Sequence, residues 1–490
     1  MSDQQPRLFD DFATARQNTY QGVLEAARQI KPVEQAGRRL ELVDAFYDEP
    51  DDEDEDDRWS FEAQANAVRE KQTLGRRLRG VFRMTDLATG ESQEARKLLA
   101  IVPRVNEDGA VIYRGSRYAI TNQQRLKPGL YARVKKNNEY EVYGNIRKGT
   151  GSSHRYLFDP ARGLFYLNVG SSRIPLVPLL QTLGATEDQI REAWGDELTK
   201  RNMAKQDSRA IDKLYEKLVP AAVRRDPPPD QDKRQLIASY IQRAGLDPAT
   251  TRKNLGIEAD HVTPEVILRS TRKVLDMVRG DQDGDDRDSL SNQTVHSIED
   301  FLAERIKYDS GFEQRNNFRK ALYRGSLDSL PARVLQKQLE ATLFGSGVAI
   351  QPEYANPLNS WDTGSRITKT GDGAIGSIDA IPMESRDFHA SHVGFIDPSR
   401  TTENLKVGAD VNVTSQARRD RQGRILTPLI NNRTGETEYR SAEEIEDLVV
   451  APQMKEIVPG YVSAIGSGRE GYYKPEQVTH RMPDPETSFS

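Results

Sequence analysis

Cysteine is absent from the 490 residues. That excludes disulfides, thiol nucleophiles and cysteine-built zinc sites, and it fits a reducing compartment. Aromatics are sparse at 7%, and hydrophobic residues reach only 36% against 30% charged. No apolar run approaches the roughly 20 residues that a bilayer span needs. Met1 to Gln5 lack the basic and apolar segments of a secretory leader, so the Asn-x-Thr triplets at Asn292, Asn412 and Asn432 are read as unglycosylated. A strong charge of one sign is missing too. The net charge is −5 with a pI near 5.9, which gives no global signature of nucleic-acid binding but leaves room for one local basic face. What remains is a soluble chain long enough for several folding units.

Taken in order, residues 1 to about 15 read as a frayed end and Asn18–Ile30 as a helix with Val23, Ala27 and Ile30 on one face. Asp48 to Asp57 is a dense acidic run, expected to be a disordered, solvated loop held open by its own repulsion rather than a nucleic-acid mimic. Leu74–Val105 and Ala110–Val142 read as strands and turns. Thr186 with Gln189 is a capping box. Asp226 to Asp230, with three prolines, reads as a linker. Thr263-Pro264 opens a helix with Ile267, Val274 and Val278 inward and Gly280 closing it. Asp281, Asp283 and Asp285 suggest a calcium loop, yet Asp286 and Asn292 stand where an EF-hand needs glycine and glutamate. Ser297–Ile306 reads as a helix, Leu335, Leu339 and Leu343 stripe another, and the chain past Gly408 reads as β-rich.

The stretch Asn356–Val413 is the most informative. Glycines at 371, 373, 376, 394 and 408 punctuate a polar segment of cations and histidines, the look of a loop system on a rigid scaffold. Gly371 to Gly376 also spells GxGxxG. A dinucleotide site needs an apolar strand before it and a helix after it. Neither is expected from Ser365–Thr370 or from Ser377–Pro382, so that reading is rejected.

In order, the chain offers Asn356-Pro357-Leu358, Arg366-Ile367, Gly371, Gly373, Arg386-Asp387, His389 and His392 with Gly394, then Thr401, Glu403 and Gly408. Upstream stand Pro103, Gly109, Gly115, Gln123 and Pro128-Gly129. Between them come Phe158-Asp159-Pro160, Arg173-Ile174-Pro175 and Asp286-x-Asp288-x-Leu290-x-Asn292, and Leu426-Thr427-Pro428 follows. This order resembles the β subunit of multisubunit DNA-dependent RNA polymerases, as an N-terminal part of it, in the split form found in giant bacteriophages.

The resemblance implies an α+β fold: a protrusion formed by both ends of the chain, an inserted, more helical lobe, and a β-rich fork and hybrid-wall region. The implied boundaries are 1–140 for the first part of the protrusion and 141–330 for the lobe. Residues 331–408 would make its return and the fork loop, and 409–490 the wall and tail. Arg366, Lys369, Arg386, Lys406, Arg117, Arg125 and Lys127 become candidates for template or hybrid phosphates, where a cation offsets charge without reading sequence. Asn356, Gly371, Gly373, His389, His392 and Glu403 become structural parts of the fork and wall. Lys406 stands where the family usually has asparagine. The family's drug site for rifampicin would fall on Ile350, Glu353, Thr363 and Thr368; Ile350 and Thr363 differ in chemistry from the family's glutamine and histidine.

Neither the family's paired lysines nor its Asn-Ala-Asp-Phe-Asp-Gly-Asp metal loop occurs in this sequence. No cofactor is therefore expected here; catalytic Mg2+ is expected on a partner β′ subunit, and the chain alone should be inactive. The implied partners are the other β half, both β′ parts, a DNA template, an RNA–DNA hybrid and a promoter-specificity factor, with no membrane. The implied location is the cytoplasm of an infected bacterium or the virion. The competing reading is a phage structural or assembly protein with no transcription role.

Overall fold

The computed structural model describes residues 7–48, 59–135, 138–205, 209–225, 232–308, 313–353, 356, 358–466 and 468–483. The acidic run from 49 to 57, the linker 226–230, Pro357 and the tail from 484 lie outside the described residues. No helix among the described residues is long and apolar enough to cross a membrane.

The architecture is α+β, with one unit built from both ends of the chain (1–125 and 289–490) and a second formed by 126–288. In the first, Val33–Gln35, Arg38–Tyr47, Gly75–Asp86 and Ser92–Pro103 form a four-stranded antiparallel sheet. Along Gly75–Asp86, Leu78, Phe82 and Met84 are buried while Arg77, Arg79 and Arg83 are not; this is the period of a half-buried strand. Helices Phe12–Arg28, Ile298–Tyr308, Glu313–Arg324 and Gln336–Gly345 supply the opposing layer. Val23, Leu302, Phe318 and Leu339 share one core with Leu40, Phe82 and Leu99.

Two further sheets matter for the site. One has the order Gln293–His296, Asn122–Leu126, Arg366–Thr368, Asp410–Val413, Ile396–Thr401. The other is nine-stranded and runs through Ile425–Asn431 and Tyr461–Gly466, with the short strand Arg7–Leu8 at one end. From Arg7 on, the segment expected to fray is ordered. Arg7–Leu8 pairs with Arg418–Arg419, and Arg7 Nη2 and Arg419 Nη1 each lie 2.8 Å from Glu299 Oε1. Asp11 Oδ1 accepts from the Thr14 amide at 3.0 Å, an N-cap that starts the helix at Phe12, earlier than the Asn18 read from periodicity.

The second unit opens with a meander of Gly129–Val134, Tyr140–Asn145, His154–Asp159, Leu164–Val169 and Ser172–Pro175, each strand paired to the next. Eight helices or helical turns follow among the described residues, from Val177–Thr182 to Pro264–Arg279. They cover the face carrying Val142, Tyr156, Phe158, Phe165 and Leu167. Phe165 stacks on Trp194 at 4.6 Å between centroids, and Trp194 Nε1 donates to Thr271 Oγ1 at 2.9 Å. The Thr186–Gln189 capping box is present in both directions. Gly280 ends the last helix at φ +83°, but Val278 is 38% exposed rather than inward. Asp285 is an internal ligand of the protein: its carboxylate accepts from the Ala132 amide at 2.7 Å and pairs with Lys273 at 2.6 Å.

The unit boundaries differ from those drawn on sequence. Gly129–Val134 belongs to the inserted meander because its ladder partner is Tyr140–Asn145. The helices after residue 297 return to the first unit, where Leu302, Ile306, Phe318 and Leu322 are buried in its core. The division at 408/409 falls inside one sheet, since Asp410–Val413 pairs with Arg366–Thr368.

Candidate nucleic-acid interface

Ile367 is buried in the centre of the five-stranded sheet, parallel to Asn122–Leu126 and antiparallel to Asp410–Val413. A strand therefore does precede the GxGxxG sequence, but only a 3-10 turn, Ile378–Ala380, follows it. Among the described residues no helix follows the glycines to offer them its N-terminus, and the dinucleotide reading fails on that side.

The loop after Thr368 is held from beneath. Gln123 Nε2 donates to Thr370 O at 2.7 Å, and the Asp372 amide donates to Ser346 O at 2.9 Å. Arg125 is the hub. Its Nε donates to Gln123 Oε1 at 2.6 Å, Nη1 to Glu304 Oε2 at 2.7 Å and Nη2 to Asp372 O at 3.0 Å. Arg305 adds an ion pair to the Asp372 carboxylate. Gly373 needs to be glycine twice over: its φ is +89°, and a Cβ would stand 2.5 Å from Arg125 Cζ. Gly371, at φ +111°, would likewise put a Cβ 2.8 Å from Gln123 Nε2. Arg125, expected to be a phosphate contact, is spent here on shaping the loop. Its side chain is largely buried. Arg117 is similarly engaged, with Gln64 at 2.9 Å and Asp108 at 3.5 Å. Lys127 is buried in the other unit, where its carbonyl accepts from Tyr131 OH at 2.9 Å.

The remaining cations cluster around 362–410. Arg386 joins two segments, donating to Leu405 O at 2.9 Å and to Ile378 O at 2.7 Å. Lys369 Nζ donates to Ser385 O at 2.7 Å. Gly408 lies so close beneath that a Cβ would stand 2.1 Å from Arg386 O. Arg366 pairs with Asp362, which also holds Arg400 at 2.6 Å. Lys406 is the most exposed of the predicted cations, 3.2 Å from the buried Asp410. Arg400 escaped the sequence reading; only its place near the end of strand Ile396–Thr401 beside Arg366 brings it to the cluster. Around these charges Met383, Phe388, Leu405 and Val407 stand exposed, giving a face that mixes apolar surface with fixed positive charge.

The histidines are loop parts, not an open ligand pair. His389 Nδ1 accepts from the Ser391 amide at 3.0 Å, and His392 Nδ1 accepts from the His389 amide at 3.2 Å. Both rings therefore turn a lone pair to the backbone. Among the described residues no group of three His, Asp or Glu side chains is arranged to hold a metal. Asn356 Oδ1 accepts from the Leu358 amide at 3.0 Å. Glu403 is exposed and makes no ion pair among the described residues. Its neighbour Thr402 ties the loop instead, donating to Lys406 O at 2.8 Å.

Residues 126–296 match the family model described as RNA polymerase Rpb2, domain 2, a stretch that starts where the inserted unit starts. Among curated proteins, the DNA-directed RNA polymerase subunit beta of Thermus aquaticus is 26% identical over 447 residues, 82% of this chain and 39% of that one. The corresponding subunit of Synechocystis sp. is 26% identical over 401 residues, 76% of this chain and 36% of its own. That of Syntrophomonas wolfei is 25% identical over 401 residues, 75% and 36%. The chain spans less than two-fifths of the length of these relatives. It is a β-subunit-like chain, similar along most of its length to part of a bacterial RNA polymerase β subunit.

Proposed function

We propose that this chain is a subunit of a multisubunit DNA-dependent RNA polymerase, corresponding to an N-terminal part of β, and that it forms the fork loop and one wall of the channel for the RNA–DNA hybrid. The observation that carries the reading is the loop 369–376, immobilised by Gln123, Arg125 and Ser346 before any ligand arrives. A preorganised wall holds nucleic acid without an ordering cost at each nucleotide step. Arg366, Lys369, Arg386 and Lys406, joined by Arg400, would offset hybrid phosphates from the exposed side, while Met383 and Leu405 exclude water beside them. Phosphoryl transfer by two metal ions needs fixed carboxylates; these, the Mg2+ and the nucleotide-binding lysines would sit on β′ and on the remainder of β. We place the enzyme with the split polymerases of giant bacteriophages, with three partner chains.

Affinity purification of the tagged chain from cells making the whole polymerase tests this. The expected companions are the other β part and both β′ parts, with template-directed RNA synthesis in the complex and none by the chain alone. Recovery with capsid or tail components only, or synthesis by the isolated chain, would overturn it.

A further inference from the structure

The helix Glu313–Arg324 turns two unlike faces outward and inward. Phe318, Ala321 and Leu322 are buried in the core of the first unit, one stripe at helical spacing. The opposite side carries Arg319, Lys320, Tyr323 and Arg324, all exposed. Tyr323 lies at i,i+4 from Arg319 and at i,i+3 from Lys320, and Arg324 lies at i,i+4 from Lys320. Together with Gln35 and Asn316 they line a shallow surface depression of about 340 Å³.

Two features set this face apart. First, its cations are unpaired. Many arginines elsewhere in the unit meet carboxylates, among them Arg79 with Asp48, Arg83 with Glu94, Arg114 with Glu340 and Arg104 with Glu107. Arg319, Lys320 and Arg324 make no ion pair among the described residues, and no acidic residue occurs from Asn316 to Arg324. Favourable interaction with the helix C-terminus accounts for Arg324 in the last turn, but that effect fades within one turn and does not reach Arg319. Second, Tyr323 is 77% exposed between the cations. A chain of net charge −5 that keeps three uncompensated cations around a bare aromatic ring has the composition of a stacking platform with an electrostatic track.

We propose that this helix face binds single-stranded nucleic acid, with Arg319, Lys320 and Arg324 on successive phosphates and Tyr323 stacked on a base. From Arg319 to Arg324 the helix rises roughly 7.5 Å, a span suited to two or three nucleotides of one strand. The helix packs on the hairpin Val33–Gln35 and Arg38–Tyr47, so the site is separate from the glycine-rich loop and does not depend on the polymerase reading. Arg38 supports it from below, donating to Leu322 O at 3.0 Å.

Fluorescence anisotropy of the full chain with a labelled mixed-sequence DNA of about 20 nucleotides, longer than the site size of one binding module, reads the proposal as a salt titration. Arg319→Glu, Lys320→Glu and Arg324→Glu together should weaken binding further than the matching glutamine variants do, leaving only what the 366–408 face contributes. The matching glutamine variants should lower the slope of log affinity against log salt by about 2, since each phosphate contact on a single strand contributes roughly 0.7. Tyr323→Ala should weaken binding about 10-fold with the slope unchanged. All these side chains are exposed, so the melting curves should match the parent. No binding by the parent chain at low salt, or equal binding by the glutamine variants, would overturn the proposal. Equal affinity for duplex with no effect of Tyr323→Ala would overturn its assignment to a single strand. None of these results bears on which chains copurify, so the two readings fail separately.

Discussion

Replacing Arg125 by alanine separates a loop-building role from a phosphate-binding one. The guanidinium makes three hydrogen bonds, to Gln123, Glu304 and Asp372, and the Arg125 and Glu304 side chains are only 9% and 11% exposed. Breaking a buried ion pair by removing one partner costs about 3–5 kcal/mol. The loss should fall locally, because the loop amides depend on the same hub: Gly371 donates to Ile375 O at 3.0 Å and Asp372 to Ser346 O at 2.9 Å. Hydrogen exchange at Gly371 and Asp372 should therefore speed up by about 100- to 1,000-fold, at roughly 1.4 kcal/mol per decade. Arg125→Lys should recover little of this, since a compact ammonium cannot span the three separate acceptors that the planar guanidinium reaches. The reasoning is refuted if Arg125→Ala leaves loop exchange unchanged and only weakens nucleic-acid binding. That would restore the phosphate role expected from its sequence position.

Three further outcomes follow from the packing. Arg419→Ala should destabilise the first unit by about 3–5 kcal/mol, because Arg419 pairs with Glu299 and Asp300 in a buried node shared with Arg7; urea unfolding monitored in that unit measures it, and a change below about 1 kcal/mol would contradict it. His154 gives the inserted unit a pH dependence. Its Nδ1 faces Ser152 O at 3.1 Å, so Nε2 accepts from Tyr156 OH at 2.8 Å, and burial holds the ring neutral by pushing its pKa below the ordinary value. The unfolded chain then binds the extra proton, so stability should fall as pH drops through about 6.5; His154→Gln should flatten that slope, and an unchanged slope would refute it. Transcription by the assembled complex should continue at rifampicin concentrations that stop a bacterial polymerase. Ile350 offers a polar drug atom no partner, and the Thr363 proton is already given to Asn359 O at 2.8 Å, so a drug atom facing Ile350 and a drug acceptor facing Thr363 would go unpaired, at about 1–3 kcal/mol each; inhibition at equal concentration would contradict this.

Local signals were legible in the sequence. The Thr186–Gln189 box, the Thr263 start and Gly280 stop, and the alternation of Gly75–Asp86 each involve residues a few positions apart. The glycine turns at 371 and 373 were legible as turns, though not their cause. What could not be read were meetings between distant residues. Arg125 looks like any basic residue beside a Pro-Gly until Glu304 and Asp372, 179 and 247 positions away, come to it. The N-terminal strand is invisible for the same reason, since Leu8 alternates with nothing and its partner is Arg418. Val278 followed the helical stripe but fell on its margin. The motif order carried the family likeness while giving no hint of which cations keep free charge, which depends on carboxylates such as Asp362 and Asp410.

The central claim is that the 366–408 face lines the RNA–DNA hybrid. A photoreactive phenylalanine analogue in place of Leu405, a 68% exposed residue beside Arg386, measures this in a reconstituted, transcribing complex with labelled RNA and template. Crosslinks to hybrid RNA or template strand are predicted, at positions that advance as the complex is walked along the template. A complex that transcribes normally while Leu405 crosslinks only to protein would contradict the account.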